Sequence, residues 1–556
     1  MSYSLVDAGP VSTLNLIYDQ DVAVYQVKWQ AQSQIYDANW EYWSGAVFNN
    51  AMWKDRSGKP SPKKFPLKIN VVKKACLTHS MHLWGLTSNL PFLRSTVIPK
   101  RDKIQAEIDR CKNMEDYFDT FLQYSNGETK LREAGRMYMA LGGTALKVRR
   151  DSGNPCGVSL DSIPVAYFFP VWNPGNYDEL IRCHIAYQIE KGLAKILYGY
   201  RDSKNSPDMV DFVETWTLDK WSCAVGPMGD RQPAVDQTSH EVMEGPNVFQ
   251  NPVTKKKYIP IIYIPRLRTG SFYGDPLPAD LMGLQDEYNA RMADQGDAVS
   301  QASHMHVYGH DITRRGTPDL KVPVGNTIYD AGDTQVGGEA PFLGILSGPN
   351  LAEAGSKFSS QLEDALYDQA GIPPVMRGID EGSQRSALTL AARALPTLSI
   401  IEDYRASWVQ GLRQCFELFQ MACYADAGNM DMGLNDVSHL DFGHIVMINF
   451  APVLPKDIAQ INETITQQRA AGVMSKDRAV RLSPDVTDPD AELKKIEEEE
   501  KAKAKAEQEK NQKMADAKME QMQVQGEMQA ANDQSKIITQ AKVAPKPVPK
   551  KPGSGA

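Results

Sequence analysis

The amino-acid sequence predicts a mixed α+β protein of several domains. Its 556 residues correspond to about three to five units at about 100–200 residues per domain. Apolar residues make up 42% and charged residues 23% of the chain, values close to those of globular proteins that bury a core. Residues 144–270 are rich in short β-branched and aromatic runs, whereas apolar residues before and after this stretch recur at helical spacing.

Charge and cysteine usage narrow the class of protein. Asp and Glu residues (69) outnumber Lys and Arg residues (61), which gives a net charge of -8. A protein that binds nucleic acid tightly through a continuous basic surface usually carries a net positive charge. The composition therefore argues against tight DNA binding but allows DNA to pass nearby. The seven cysteines are widely spaced without a CxxC motif, which indicates a reducing compartment. No membrane span or signal peptide is predicted.

The first 60 residues predict an aromatic-rich helical arm, because Trp29, Tyr36 and Trp43 recur every seven residues. Trp40, Trp43 and Trp53 allow a nucleobase-stacking platform, but a packing face against a neighbouring domain is the favoured interpretation. The basic loop at 56–64 is interpreted as a solvated linker. Helices are then predicted at 70–85, 104–124 and 131–141. Strands are predicted at 144–148, 166–172, 184–189, 196–200, 212–218 and 259–264.

At Tyr273-Gly-Asp-Pro-Leu-Pro the pattern returns to helix. One helix is predicted at 280–300 and a second at 351–369, and between them lies a small β-containing insert with strands at 322–329 and 342–345. Each helix has one apolar stripe and an opposite polar face, so the two can pair with each other and with a neighbouring copy. A polar loop at 375–386 leads into a long helix that contains Pro396. A strand at 444–450 and short helices at 457–469 and 476–481 follow.

The C-terminal part has a different composition. Residues 491–520 carry many Lys, Asp and Glu residues without proline or glycine, which predicts a solvated, highly charged helix. Met514, Met519, Met522 and Met528 give this helix only a weak apolar stripe. Residues 541–556 are rich in Pro, Lys and Gly, and we expect them to be disordered.

Enzyme signatures are absent from the sequence. It contains no P-loop, HExxH, GxSxG or GxGxxG motif. His304, His306 and His310 are the best metal candidates, but a polar cluster near a turn is the favoured interpretation. Asp380 and Glu381 resemble a catalytic carboxylate pair, but adjacent acids on a glycine-containing loop usually face solvent. We therefore expect a protein that is not an enzyme and that uses no cofactor or metal.

Several short motifs, in their order and spacing, resemble those of tailed-bacteriophage portal proteins, also called head-to-tail connectors. Tyr273-Gly-Asp-Pro-Leu-Pro-Ala-Asp-Leu-Met-Gly-Leu-Gln-Asp-Glu-Tyr-Asn is similar to the start of the family's first stem helix. Ala370-Gly-Ile-Pro-Pro is similar to the end of its second stem helix, and Ser383-Gln-Arg-Ser-Ala-Leu-Thr-Leu to the start of its long helix. Lys68-Ile-Asn-Val-Val through His82-Leu-Trp-Gly resembles an early wing helix. Arg385-Ser386 departs from the Ser-Gly that this family often has before Ala-Leu.

The resemblance implies a portal-type subunit that assembles into a ring, with an α/β wing, a two-helix stem, a small β-containing clip, a long kinked helix and a helical crown. The implied segments are an N-terminal helical arm (1–60), wing (61–270), stem helix 1 (271–300), clip (301–347), stem helix 2 (348–371), tunnel loop (372–386), long wing helix (387–430), wing return strand (431–456), crown (457–490), charged C-terminal helix (491–540) and disordered tail (541–556).

The resemblance also implies a function and partners. The ring, typically of twelve copies, would occupy one capsid vertex of the virion after assembly in the host cytoplasm, and double-stranded DNA would enter and leave through it without sequence-specific binding. The implied partners are the terminase large subunit, head-tail adaptor and tail proteins, and the major capsid and scaffolding proteins. The candidate channel residues are Arg377, Asp380, Glu381, Arg385 and Lys357, and the candidate clip docking residues are Arg314, Arg315 and Lys321.

Two other functions are compatible with parts of the sequence. One is a metal-dependent hydrolase that uses His304, His306 and His310, and the other is a coiled-coil scaffold built on the charged C-terminal helix. Stoichiometric zinc in the purified protein would favour the first. Rings that still assemble after truncation of the C-terminal helix would argue against the second.

Overall fold

The structure is a computed structural model of the 556-residue chain. The structure describes residues 23–49, 68–85, 93–100, 105–151, 153–201, 207–227, 231–236, 241–303, 306–310, 327–330, 342–346, 351–379, 387–425, 442–451, 453, 458–483, 486 and 489–541. It divides into two compact units, Met1–Pro455 and Lys456–Ala556. The described residues are mixed helix and strand, which confirms the predicted α+β class. None of the helices described is both long and apolar enough to cross a bilayer.

Eight α-helices of the first unit lie among the described residues. They are α1 (Ala23–Ser44), α2 (Val71–Trp84), α3 (Gln105–Tyr124), α4 (Gly127–Leu141), α5 (Lys191–Tyr198), α6 (Leu277–Ser303), α7 (Leu351–Gln369) and α8 (Ala387–Ala425). The helix predicted at 351–369 is confirmed to the residue, and the one predicted at 280–300 is confirmed with three extra residues at each end. Both have the one-sided apolar spacing that periodicity detects best.

Four sheets occur among the described residues. Their strands are β1 (Leu93–Ile98), β2 (Gly143–Arg150), β3 (Val158–Ile163), β4 (Phe168–Asn173), β5 (Asn176–Glu190), β6 (Met209–Thr217), β7 (Lys220–Gly226), β8 (Gln232–Pro233), β9 (Glu244–Pro246), β10 (Ile261–Pro265), β11 (His306–His310), β12 (Thr327–Asp330), β13 (Phe342–Leu346) and β14 (Ile445–Phe450). The largest sheet has the antiparallel order β4-β5-β6-β7-β8, with β9 also on β7. The others are β10-β2-β3, β12-β11-β13 and the pair β1-β14.

The predicted strand at 196–200 is wrong, because residues 191–198 form helix α5. Ala194 and Tyr198, four residues apart, are buried on one face of α5, whereas Ile196 is 70% exposed. Gly199 then ends the helix with a left-handed φ of 64°. The apolar run Ile-Leu-Tyr suggested a strand, but helical spacing decides which of its side chains are buried.

The main core lies between the sheet β10-β2-β3 and helices α2, α3, α4 and α8. The Trp84 and Trp408 rings meet edge to face at 4.7 Å, and the Phe121 and Phe419 rings stack at 4.6 Å. These aromatic contacts join α8 to α2 and to α3, and each adds about 0.5–1.5 kcal/mol to the burial of its rings. The long helix α8 is therefore part of the core over most of its length.

The second unit contains α9 (Ile458–Ala470), α10 (Lys476–Leu482) and α11 (Pro489–Ala541). Ser475 caps α10, since its hydroxyl accepts a hydrogen bond of 3.3 Å from the Arg478 amide. Lys476 forms an ion pair with Glu500 between α10 and α11. The predicted charged helix is confirmed as α11, and its four methionines are each more than half exposed. Of the disordered tail predicted at 541–556, Ala541 is instead the last residue of α11, and 542–556 lie outside the described residues.

Candidate functional site

Helices α6 and α7, which bracket the small sheet β12-β11-β13, pack along one face. The Gln295 amide donates a 2.7 Å hydrogen bond to the hydroxyl of Ser359, which is 4% exposed. Nearer the other end, the Tyr288 hydroxyl donates to the Glu363 carboxylate at 3.5 Å. Leu366 is fully buried. The apolar stripes predicted for the two helices therefore contribute to a real helix pair within one subunit.

The outward faces of α6 and α7 are strongly acidic. The sequence of α6 contains five acidic residues and one basic residue, and that of α7 contains four and one. Arg291 is paired with Glu287 at 2.7 Å and with Asp294 at 3.0 Å on its own helix. Asp286 accepts a 2.7 Å hydrogen bond from the Tyr42 hydroxyl of α1. The helix pair therefore presents net negative charge to its surroundings.

Gln285 anchors the start of α6 to the N-terminus of α2. Its fully buried side-chain oxygen accepts hydrogen bonds from the amides of Val71 (2.9 Å) and Val72 (3.2 Å), which have no acceptor within their own helix. Its amide nitrogen donates to the Ile69 carbonyl at 2.7 Å. One glutamine thus provides three hydrogen bonds that fix α6 against the body of the unit.

Arg266, directly after β10, joins the segment before α6 to the long helix α8. Its side chain donates to the Asp275 carbonyl and to the Tyr404 hydroxyl, both at 2.7 Å. The Tyr138 hydroxyl of α4 donates to the Arg266 carbonyl at 3.1 Å. Arg266 is only 5% exposed, so these charge-assisted hydrogen bonds form in a poorly hydrated environment.

The end of α7 is held by α2 and α8. The ring of His79 on α2 donates from Nε2 to the Ala370 carbonyl at 2.6 Å, since a carbonyl oxygen can only accept. The Thr397 hydroxyl on α8 donates to the Gly371 carbonyl at 2.7 Å. Gly371 has a left-handed φ of 70°, which ends α7 and favours glycine.

His79 makes this junction sensitive to acid. Burial lowers the pKa of His79 to about 4, and the positive charge of Arg266 contributes. Because this folded-state pKa lies below the unfolded value of ~6.5, stability falls as the pH drops from about 6.5 to 4, by about 3 kcal/mol at most. Between about pH 6.5 and pH 4, we expect the melting temperature of His79→Gln to fall less than that of the wild-type protein. Parallel melting curves for the two proteins across this range would contradict the assignment.

Arg377 lies in a 3-10 turn, Pro374–Arg377, at the start of the predicted tunnel loop. Its guanidinium donates to the Asp364 carboxylate at 2.9 Å and lies 4.5 Å from the centre of the Tyr367 ring. Only 9% of the side chain is exposed. Arg377 therefore packs back on α7. Lys357, which lies on α7 two turns before Asp364, is exposed.

Most of the other predicted site residues are not among those that the structure describes. Arg314, Arg315, Lys321, Asp380, Glu381, Arg385 and His304 lie outside the described residues, as do Trp53 and the basic loop at 56–64. His306 and His310 are the first and last residues of β11. Trp40 and Trp43 stack at 4.7 Å and pack against the main core, which favours the packing interpretation of these two rings.

Residues 344–506 match the model of a protein family, from β13 through α7, α8, β14, α9 and α10 into α11. The match confirms, over this segment of the chain, the resemblance to phage portal proteins noted in the sequence. The family in question is described as phage portal protein, SPP1 Gp6-like. No curated protein sequence matches the chain at a significant level. The match does not favour the hydrolase or the scaffold alternative.

Sequence reasoning missed Arg266 and Gln285. A signal for each was present in the sequence. Arg266 follows the apolar run of β10 directly, where a charged side chain needs a buried partner or a route to solvent. Gln285 lies on the helix face of Leu281 and Tyr288, where a polar side chain interrupts the apolar stripe.

Proposed function

We propose that this protein forms the ring-shaped channel at the unique capsid vertex through which double-stranded viral DNA is packaged and ejected. The observation that carries the proposal is the family match over 344–506, which includes α7, the following loop and the long helix α8. The helix pair α6–α7 supports it, because its acidic outward face suits a surface that lines water. The channel would be a passive conduit whose motor, a terminase, is a separate protein.

The size of such a channel follows from helix packing. Twelve inner helices about 10 Å apart give a circumference of roughly 120 Å and a diameter of roughly 38 Å between opposite helix axes. One helix diameter of about 10 Å is occupied by backbone and side chains, which leaves a bore of about 28 Å. A duplex would pass through such a bore without being gripped.

Charge supports passage rather than binding. A ring of subunits that each carry -8 and expose acidic stem helices repels phosphates, with an effect screened over a Debye length of ~8 Å. We propose that this keeps DNA from adhering while a few cations steady it at constrictions. Arg385 is the leading candidate, since Arg377 already pairs with Asp364 and Lys357 is the one basic residue of the otherwise acidic helix α7.

Exposed apolar side chains support contact between copies. Phe358 on α7 is 43% exposed and Val299 near the end of α6 is 61% exposed. Burial of such a pair against a neighbour contributes about 25 cal/mol per Å² of apolar surface. We propose that the neighbouring subunit of the ring covers them.

The remaining assignments belong to the same proposal. The stem is 271–300 with 348–371, the clip is 301–347, the tunnel loop is 372–386, and the wing is 61–270 with 387–456. The crown is 457–490, and 491–540 extends it. Terminase and the head-tail adaptor proteins dock on the clip, where Arg314, Arg315 and Lys321 face an acidic partner surface, and the capsid and scaffolding proteins surround the wing.

A negative-stain image of the purified protein tests the assembly. We expect turbine-like rings with a central hole, because the one-sided helices need neighbours. A compact monomer under assembly-favouring conditions, with α6 and α7 covered on all sides, would overturn the proposal.

DNA packaging tests the role of the loop cations. Rings with Arg385→Ala are expected to assemble normally but to fill or retain less DNA than wild-type rings. Arg377→Ala serves as the comparison, since its loss also removes the contact with Asp364 and Tyr367 and lowers the melting temperature. Unchanged DNA filling and retention in the double variant Arg377→Ala/Arg385→Ala would count against a role for either side chain.

A further inference from the structure

We propose that Glu107, Cys111 and His444 form a binding site for a divalent transition-metal ion of the zinc class. Glu107 and Cys111 lie four residues apart on α3, so they share one face of the helix. His444 directly precedes β14. A carboxylate oxygen, the thiol sulfur and a ring nitrogen all lie within 4.8 Å of one another, and no other group of three such side chains converges in the described part of the chain.

The donor atoms already point towards one another. His444 Nε2 lies 3.0 Å from Glu107 Oε1, and the exposed fractions of the two side chains are 1% and 15%. The nearby cation Arg110 lies 3.9 Å from Oε2, the other oxygen of the same carboxylate. Cys111 is buried at 3% exposure. Glu107 therefore presents Oε1 to the His444 ring and Oε2 to the Arg110 guanidinium.

The donor set selects the class of metal. One thiolate, one imidazole and one carboxylate suit a borderline-soft ion such as Zn²⁺, whereas Mg²⁺ and Ca²⁺ prefer oxygen ligands alone. The thiolate and the carboxylate carry two negative charges, which neutralise a divalent ion at this poorly hydrated position. Ligand distances of about 2.0–2.3 Å place tetrahedral donor atoms about 3.3–3.8 Å apart. Glu107 Oε1 and His444 Nε2, at 3.0 Å, would therefore separate slightly, whereas donor atoms as far apart as 4.8 Å would approach by roughly 1 Å. Three protein ligands leave the fourth position to water.

The site would join two parts of the fold. β14 forms a two-stranded antiparallel sheet with β1, and α3 precedes all strands of the six-stranded sheet in the chain. A metal bound by both α3 and the residue before β14 would fix the return strand to the N-terminal half of the unit. Because His444 lies more than 300 residues along the chain from the two ligands on α3, binding stabilises the folded state. The site is independent of the channel proposal, since one subunit supplies all three ligands.

Cobalt binding to the full-length chain tests the site. Co²⁺ takes the place of Zn²⁺ and gives a near-ultraviolet charge-transfer band only when a thiolate is a ligand. We expect stoichiometric Co²⁺ with this band, competed away by Zn²⁺. We also expect Cys111→Ser to lose the band, and Glu107→Gln and His444→Gln to bind Co²⁺ at least about tenfold more weakly.

The matched control is Cys223→Ser, which removes a buried thiol from β7 in the six-stranded sheet. It is expected to keep the band and the Co²⁺ affinity. Far-ultraviolet circular dichroism of each variant separates loss of ligation from loss of folding, and Glu107→Gln gives an answer if Cys111→Ser does not fold. The proposal is overturned if the wild-type chain binds no stoichiometric Co²⁺, or if its band persists in folded Cys111→Ser.

Discussion

Arg266→Met is expected to lower the free energy of unfolding by about 3–5 kcal/mol. Methionine keeps most of the side-chain volume but donates no hydrogen bond. The Asp275 carbonyl and the Tyr404 hydroxyl would each lose a 2.7 Å partner. Unpaired polar groups at buried positions cost about 1–3 kcal/mol each. Urea unfolding of the variant measures the loss, and the yield of assembled rings shows whether the segment before α6 still docks on α8.

Arg268→Met is the matched control, two residues further along. Arg268 makes an ion pair of 2.8 Å with Asp178, and the two side chains are 31% and 44% exposed. Exposed pairs of this kind contribute about 0–1 kcal/mol, so the control is expected to unfold almost as wild type does. Equal losses of unfolding free energy in Arg266→Met and Arg268→Met would mean that neither the burial of Arg266 nor its two hydrogen bonds stabilise the fold.

The long helices could be predicted from the sequence because their apolar residues are periodic over many turns. α7 was located to the residue by its stripe and by the Gly-Ile-Pro-Pro that follows it. α11 was predicted from composition alone, since a charged stretch free of proline and glycine has few alternatives to helix. In both cases the signal lies within a single segment.

Short elements were harder, because contacts with distant residues decide them. The segment 191–198 became α5 rather than a strand, since Ala194 and Tyr198 pack together on the six-stranded sheet. β1 is a strand because β14, about 350 residues later, pairs with it from Leu93↔Phe450 to Ile98↔Ile445. A six-residue segment carries too little periodicity to reveal a partner so far away.

In the candidate site, too, local sequence patterns identify some residues, whereas contacts between distant residues decide their partners. The sequence identifies Arg377 as a cation on the polar loop at 375–386, but its partner Asp364 and its ring contact with Tyr367 depend on how the turn folds back on α7. The hydrogen bonds of Arg266 with α8 and of Gln285 with α2 join residues that are 138 and more than 200 positions apart. Pairing at such separations follows from the packed fold and not from local pattern.

Gly274→Ala is expected to destabilise the fold by about 3 kcal/mol or more and to reduce ring assembly. Gly274 precedes α6 where the chain crosses the turn between α4 and β2. A Cβ atom on Gly274 would lie 2.2 Å from the Gly142 carbonyl oxygen and 2.5 Å from the Arg266 amide nitrogen. Both neighbours are backbone atoms, and Arg266 is fixed by the hydrogen bond from its amide to the Gly142 carbonyl. No side chain can rotate away to make room, so the start of α6 must shift.

Gly283→Ala adds the same methyl group within α6, at a position where a Cβ atom meets nothing within 4 Å. Alanine favours helix over glycine by about 0.5–1 kcal/mol, so this control is expected to melt at or above the wild-type temperature. The two substitutions, nine residues apart, separate the close backbone approach at Gly274 from a general effect of added volume near the stem. A Gly274→Ala protein that melts and assembles as wild type does would show that the crossing of the two backbones tolerates a side chain, and that α6 is not positioned by it.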